Sequence, residues 1–263
     1  LGTSVSEVGD VNGDGFDDLI IGAPRVELNY ESRSGQSYVI FGTESGFPAN
    51  FDPTSLDGTN GFVANGPGGS ASGTSVSGAG DVNNDGVDDL IIGAPRADVN
   101  TLSRAGQSYV IFGSSTGFNA AIDLATLDGT NGFALNGIAN NDESGTSVSG
   151  VGDVNGDGID DLLIGASQAE PNGFRSGQSY VVFGGNSSFP AAFDLSSLDV
   201  TNGFTLNGIN SSNELVNSVG AAGDVNGDGI NDLLLGAYNA LNGAGRSYVL
   251  FGSNAGFNAT FDL

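Results

Sequence analysis

Asp10-Val-Asn-Gly-Asp-Gly-Phe-Asp-Asp18 occurs four times in this chain with few changes. The other copies are Asp81-Val-Asn-Asn-Asp-Gly-Val-Asp-Asp89, Asp153-Val-Asn-Gly-Asp-Gly-Ile-Asp-Asp161 and Asp224-Val-Asn-Gly-Asp-Gly-Ile-Asn-Asp232. Their first residues stand 71, 72 and 71 positions apart. A constant period of that size marks one supersecondary unit built four times, so fold and chemistry are argued per repeat. The repeats run over approximately 1–72, 73–144, 145–215 and 216–263 and are read as one domain over 1–263.

The nonapeptide places oxygen donors at alternate positions, which is what a hard cation with six to eight oxygen ligands needs. Side chains at positions 1, 3, 5 and 9 and the backbone carbonyl at position 7 form each expected calcium set. The first is Asp10, Asn12, Asp14, Asp18 and the Phe16 carbonyl, and the second Asp81, Asn83, Asp85, Asp89 and the Val87 carbonyl. The third is Asp153, Asn155, Asp157, Asp161 and the Ile159 carbonyl, and the fourth Asp224, Asn226, Asp228, Asp232 and the Ile230 carbonyl. Glycine at position 6 allows the positive φ of a tight ligating turn. An EF-hand is excluded, because position 12 is Ile21, Ile92, Ile164 or Leu235 where a bidentate Glu is required. Runs of Asp, Asn and Gly also form turns without metal, but four copies of one donor spacing favour calcium. Position 8 (Asp17, Asp88, Asp160, Asn231) is expected to point outward, with Asn231 showing that a charge there is dispensable.

Composition narrows the functions. The formal charge is −25, and the only cations are Arg25, Arg33, Arg96, Arg104, Arg175 and Arg246. Nucleic-acid binding requires a basic face that this chain does not encode. The loops hold 15 of the 31 carboxylates at positions 1, 5, 8 and 9. Crowding so many like charges is costly unless a cation neutralises them. There is no cysteine, so disulfides and thiol chemistry are excluded. No apolar run reaches the roughly 20 residues of a membrane span, so no membrane insertion is expected. The chain opens within the repeat pattern, at Leu1-Gly-Thr-Ser-Val5, without a basic and apolar leader, as a mature form or an excised piece would.

Between the loops lie short strand-like segments. The first segment of each repeat is small and polar (Thr3–Gly9, Thr74–Gly80, Thr146–Gly152) and suits a crowded place where backbones approach closely. The second is continuously apolar (Leu19–Ala23, Leu90–Ala94, Leu162–Ala166, Leu233–Ala237), as for a strand covered on both faces. The third is Gln36–Gly42 with copies at 107–113, 178–184 and 246–252, and the fourth is Gly61–Asn65, Gly132–Asn136 and Gly203–Asn207. No window keeps a 3.6-residue apolar period. Four strands per unit with a tandem period above 40 is the pattern of an all-β β-propeller. Its second and third strands are expected to pack blade against blade, with the fourth as an exposed edge. The last blade is one strand short, giving about fifteen strands in a small closed ring or an arc of a larger propeller.

The residues Gly-Asp-Val-Asn-Gly-Asp-Gly-x-Asp-Asp-Leu-x-Ile-Gly-Ala-Pro resemble the FG-GAP repeat of integrin α-subunit propellers and their bacterial relatives. That resemblance covers all four repeats and implies calcium in the strand 1–2 loops on one face of the propeller. The Gly-Ala-Pro element stands at 22–24 and 93–95 but becomes Gly165-Ala-Ser167 and Gly236-Ala-Tyr238. The Phe-Gly element is altered to Ser72-Gly73 and Ser144-Gly145, and Val216 takes the glycine place in the fourth repeat. No inserted ligand-binding domain is present, so integrin-like adhesion does not transfer on fold alone.

The expected function is therefore a calcium-stabilised, non-catalytic, extracellular structural or interaction module, secreted or at the cell surface. Its partner would be a protein, a matrix component or polysaccharide, or another copy through the open blade edge, the last leading to a filament. A hydrolase or sugar-binding propeller is the alternative. Without His or Cys, the usual triads are excluded. Acid-pair glycoside hydrolysis needs only two carboxylates, and Glu7, Glu27, Glu31, Glu44, Glu143, Glu170 and Glu214 are available outside the loops. None of them recurs at a fixed repeat position. Tyr38, Tyr109, Tyr180 and Tyr248 read as blade core, and Arg33, Arg104 and Arg175 as partners of nearby acids or as rim binders. Asn186, Asn210 and Asn258 begin Asn-x-Ser/Thr sites.

Overall fold

The computed structural model describes residues 1–28, 33–186, 188–209 and 215–263, without the side chains of 215–217 and 242. The first blade contains β1 (Ser4–Glu7), β2 (Leu19–Ala23), β3 (Gln36–Ile40) and β4 (Gly61–Asn65). The second contains β5 (Ser75–Gly80), β6 (Asp89–Ala94), β7 (Gln107–Ile111) and β9 (Gly132–Asn136), with β8 (Ala121–Asp123) between the last two in sequence. The third contains β10 (Ser144–Gly152), β11 (Asp161–Ala166), β12 (Gln178–Val182) and β14 (Gly203–Asn207), with β13 (Ala192–Asp194) before β14. The fourth has β15 (Leu215–Gly223), β16 (Asp232–Ala237) and β17 (Arg246–Leu250), and β18 (Thr260–Asp262) follows. Within each blade successive strands pair antiparallel. The fifteen expected blade strands are all present, and the only α-helix among the described residues is one turn, α1 (Ala240–Gly243).

The fourth strand is not the exposed edge that the sequence suggests. A three-residue strand from the following repeat adds parallel to it, pairing β8 with β4, β13 with β9 and β18 with β14. Each addition is fixed by an aromatic stack: Phe118 on Phe62 at 4.6 Å, Phe189 on Phe133 at 4.4 Å and Phe257 on Phe204 at 4.4 Å. A polar chain supports it from within. Tyr109 Oη donates to Gln107 Oε1, Gln107 Nε2 to Asn136 Oδ1, and Asn136 Nδ2 to Asp194 Oδ1 on the added strand. The same chain runs through Tyr180, Gln178, Asn207 and Asp262. Tyr109 and Tyr180 are thus core residues with satisfied hydroxyls.

Three apolar clusters form the interior, and each lies between two neighbouring blades. β6 and β11 are buried along their whole length, as strands covered on both faces. Backbones touch where the blades meet. A Cβ on Gly22 would lie 2.2 Å from the Gly73 carbonyl oxygen, and one on Gly93 would lie 2.1 Å from that of Gly145. This accounts for the glycine of the Ile-Gly-Ala run at those two boundaries, whereas a Cβ on Gly236 of the last blade would meet nothing closer than 3.5 Å. The blades form an open arc. Val5 of the first blade is 67% exposed while its counterpart Val76 is 4% exposed, and Leu234 of the fourth is 42% exposed against 0% for Ile91. No helix among the described residues is long and apolar enough to cross a membrane.

Candidate metal loops and the opposite end of the blades

Each nonapeptide joins the first and second strands of a blade and folds on its own side chains. Asp14 N–H donates to Asp10 Oδ1 and Asn12 Oδ1, Gly15 N–H to Asp10 Oδ2, and Phe16 N–H to Asp14 Oδ1. Asn12 Nδ2 donates to Asp14 Oδ2. The pattern repeats on Asp81, Asn83 and Asp85, on Asp153, Asn155 and Asp157, and on Asp224, Asn226 and Asp228. Positions 1, 3 and 5 are thereby drawn onto the loop's own N–H groups. In this conformation no three acidic side chains among the described residues share one metal-sized site. The position 7 residues follow directly, with the N–H of Phe16, Val87, Ile159 and Ile230 bound to the position 5 carboxylate.

Position 9 differs in kind. Asp18, Asp89, Asp161 and Asp232 are fully buried. Each carboxylate accepts one N–H from its own loop and one from the residue two places after the third strand. For Asp18 these are Val11 at 3.1 Å and Gly42 at 2.7 Å; for Asp161 they are Val154 and Gly184, both at 2.9 Å. Asp89 and Asp232 bind Val82 with Gly113 and Val225 with Gly252. Burial pushes the pKa of Asp18 up to about 6 and those of Asp89 and Asp161 up to about 8. The charges at positions 5 and 1 add to that rise in all three loops, so the three carboxylates of a loop feel one another. A carboxylate offers about four lone-pair directions, and the N–H groups use only some of them. Three mutually repelling carboxylates, one of them buried, with a carboxamide and a carbonyl fit a hard divalent cation in donor chemistry.

Position 8 does not simply point outward. Asp10 N–H donates to Asp88 Oδ2 at 2.9 Å, and Asp81 N–H donates to Asp160 Oδ2 at 2.9 Å. Each bond joins the loop of one blade to the loop of the next. The acceptor lies over the glycine before the loop: a Cβ on Gly9 would stand 2.1 Å from Asp88 Oδ2. At the third boundary Asn231 takes this place and its backbone N–H donates to the Asp153 carbonyl. Burial, and after it the charges of Asp88, Asp81 and Asp153, raise the pKa of Asp160. The one clue in sequence was the glycine preceding every Asp-Val-Asn, which leaves room for such a neighbour.

FG-GAP repeat sequences match residues 2–40, 72–111, 144–182 and 216–250, which is more than half of the chain. The chain belongs to the FG-GAP repeat family. Phosphatidylinositol-glycan-specific phospholipase D of Bos taurus is 32% identical over 181 residues, covering 68% of this chain and 20% of that protein. Integrin alpha-5 of Xenopus laevis is 27% identical over 257 residues, covering 90% of this chain and 20% of its own length. Integrin alpha-8 of Mus musculus is 30% identical over 215 residues, covering 74% and 18%. The chain spans about a fifth of the length of these curated relatives.

At the other end of the FG-GAP blades the second strand turns into the third, and all six arginines lie on these connections or at the start of the third strand. Arg104 pairs with Glu143, which immediately precedes β10 of the third blade. Arg175 lies over the Phe174 ring and Arg246 over the Tyr248 ring. Arg25, Arg33 and Arg96 line a cavity of about 320 Å³ together with Glu143, which is paired with Arg104, and the three arginines have no ion pair among the described residues. The larger cavity at this end, about 710 Å³, is lined by Asn141, Asp142, Gln168, Glu170, Phe174 and Gln178 among others. Burial, then the Glu170 charge, raises the pKa of Asp142. Of the other glutamates, Glu7, Glu27 and Glu44 are exposed, while Glu31 and Glu214 lie outside the described residues, as does Asn210. Asn186 and Asn258 are exposed.

Proposed function

We propose that the chain is a calcium-stabilised, non-catalytic module of an extracellular protein, with Ca2+ bound at four loops and partner recognition carried elsewhere on the blades. The observation behind this reading is the buried position 9 carboxylate. It is held among two further acids whose charges oppose its ionisation, and this occurs at the same place in the first three loops. A bound cation would remove that penalty and tie strand 1, strand 2 and the end of strand 3 together. The residues that would hold it are the four sets beginning at Asp10, Asp81, Asp153 and Asp224. Extracellular calcium modules bind at about 10⁻⁴–10⁻³ M, which suits a secreted or cell-surface setting. Integrin alpha chains among the relatives support an adhesion-like or assembly-forming role, with a protein or matrix partner. The phospholipase D named in other relatives belongs to proteins of which the matched part is a fifth. Filament formation by strand addition to β17, whose outer edge pairs with no strand among the described residues, is a further form of the same reading.

A second reading has one observation in its favour. The larger cavity combines amides, two carboxylates and the exposed ring of Phe174, the mixture that holds a sugar. Glycan-array binding lost in Phe174→Ala would support it.

The test is a thermal melt with mass by light scattering, in millimolar calcium and in excess chelator. The module reading expects a large calcium-dependent rise in Tm at a discrete mass. Growth to large assemblies would favour the filament form. An unchanged Tm would mean that the loops are turns only.

A further inference from the structure

We propose that the concavity lined by Arg25, Arg33 and Arg96 binds a single oxyanion group, a carboxylate, sulfate or phosphate. It lies at the end of the blades opposite the acidic loops, because β2 separates Arg25 from the first loop and β6 separates Arg96 from the second.

The argument starts from a difference between two equivalent blade boundaries. Arg104 and Arg33 hold the same repeat position, and both have left-handed backbones, with φ of 50° and 56°. Their carbonyls are bound by equivalent residues at the end of the same repeat, just before the first strand of the next blade. Glu143 N–H donates to the Arg104 carbonyl at 3.2 Å, and Ala71 N–H donates to the Arg33 carbonyl at 2.8 Å. Glu143 and Ala71 share that geometry, with φ of 53° and 54°. At one boundary the Glu143 carboxylate closes on Arg104. At the other the side chain is a methyl group, so the matching guanidinium has no ion pair among the described residues, and the Glu143 carboxylate that also lines the cavity is taken up by Arg104. Two more arginines, Arg25 and Arg96, each following a Gly-Ala-Pro run, line the same cavity. Three of the chain's six cations therefore stand together without an ion pair among the described residues, in a protein with a net charge of −25.

Guanidinium groups that face one cavity repel one another, and an oxyanion bridging them gains charge-assisted, forked hydrogen bonds. Thr3 and Thr74 line the same cavity; the Thr3 hydroxyl is an added donor, while that of Thr74 already donates to the Ala71 carbonyl. The volume admits one such group with part of its carrier. The remaining negative charge of the molecule repels extended polyanions, which restricts the ligand to one anionic group on an otherwise neutral carrier. This site is independent of calcium in the loops.

The test titrates inorganic phosphate, inorganic sulfate and succinate into the calcium-loaded protein, followed by amide NMR shifts, with the Tm of every variant measured alongside. Saturable shifts centred on Thr3, Ala71 and Thr74 are expected, and the preferred probe identifies the oxyanion. Ala71→Glu rebuilds the acid of the neighbouring boundary on a backbone that already accepts Glu143, and it should weaken binding by about tenfold or more at unchanged Tm. Arg33→Gln with Arg96→Gln should do the same, and Arg175→Gln should not. Shifts that never saturate, or binding left intact by Ala71→Glu in a folded protein, would overturn the proposal. So would dextran sulfate binding more tightly than inorganic sulfate.

Discussion

The two ends of the blades were built under different rules. At the end that carries the nonapeptides, four copies keep the same hydrogen bonds almost atom for atom, from Asp10 through Asp232. At the other end every copy differs: Arg33 faces Ala71, Arg104 faces Glu143, and Arg175 lies on Phe174. Repetition marks the part that holds the blades together, and variation marks the part free to recognise something. Changes at the loop end should therefore alter stability, and changes at the arginine end should alter binding alone.

Calcium removal should separate the ends most sharply. Each site held at ten times its Kd contributes about 1.4 kcal/mol, so four sites filled or emptied together should move Tm by on the order of 10 °C. Calorimetry with and without chelator measures this, and an equal Tm would erase the distinction.

The second test is pH. The folded-state pKa values of Asp18, Asp89 and Asp161 lie above the ordinary value of 3.8, at about 6, 8 and 8. The unfolded chain releases these protons from about pH 4 upward and the folded chain later, so calcium-free stability should fall between about pH 4 and 8. Saturating calcium should flatten that slope. A flat calcium-free profile in urea melts would contradict the burial argument.

Third, Asp161→Ala strips the acceptor from the buried N–H groups of Val154 and Gly184 and should cost about 2–4 kcal/mol even without calcium. Fourth, Asp88→Ala removes the bond to Asp10 N–H between the first two loops and should cost about 1 kcal/mol, seen as a lower urea midpoint at constant m. Smallest is Ala71→Glu, at the far end, which should stay within about 0.5 kcal/mol of the parent while weakening oxyanion binding. A large destabilisation there would show that the variable end also bears load.

Much of the loop end was legible in the chain because its chemistry is local. Donor spacing, the glycine at position 6 and the apolar Leu19–Ala23 run each act within a few residues. What escaped was non-local. Asp88 was expected to point outward, with Asn231 showing a charge there to be dispensable; its partner, Asp10, is 78 residues away. The added strands β8, β13 and β18 are three residues each, too short for an alternation signal, although an apolar-Asp-Leu triplet recurs at Ile122–Leu124, Phe193–Leu195 and Phe261–Leu263. The choice between ring and arc was beyond sequence for a similar reason, since Val5 and Leu234 read like their buried counterparts.

The added strands also set an order of events during synthesis. Val63 of the first blade pairs with a strand residue 58 positions later at Ala121, and Thr205 of the third with Thr260, 55 positions later. A blade leaving the ribosome must therefore wait for most of the next repeat before its outer edge is sealed. At about 5–20 residues per second, that edge stays open for several seconds. A fragment cut at the 71-residue period would carry one blade without its seal and another blade's seal without its blade.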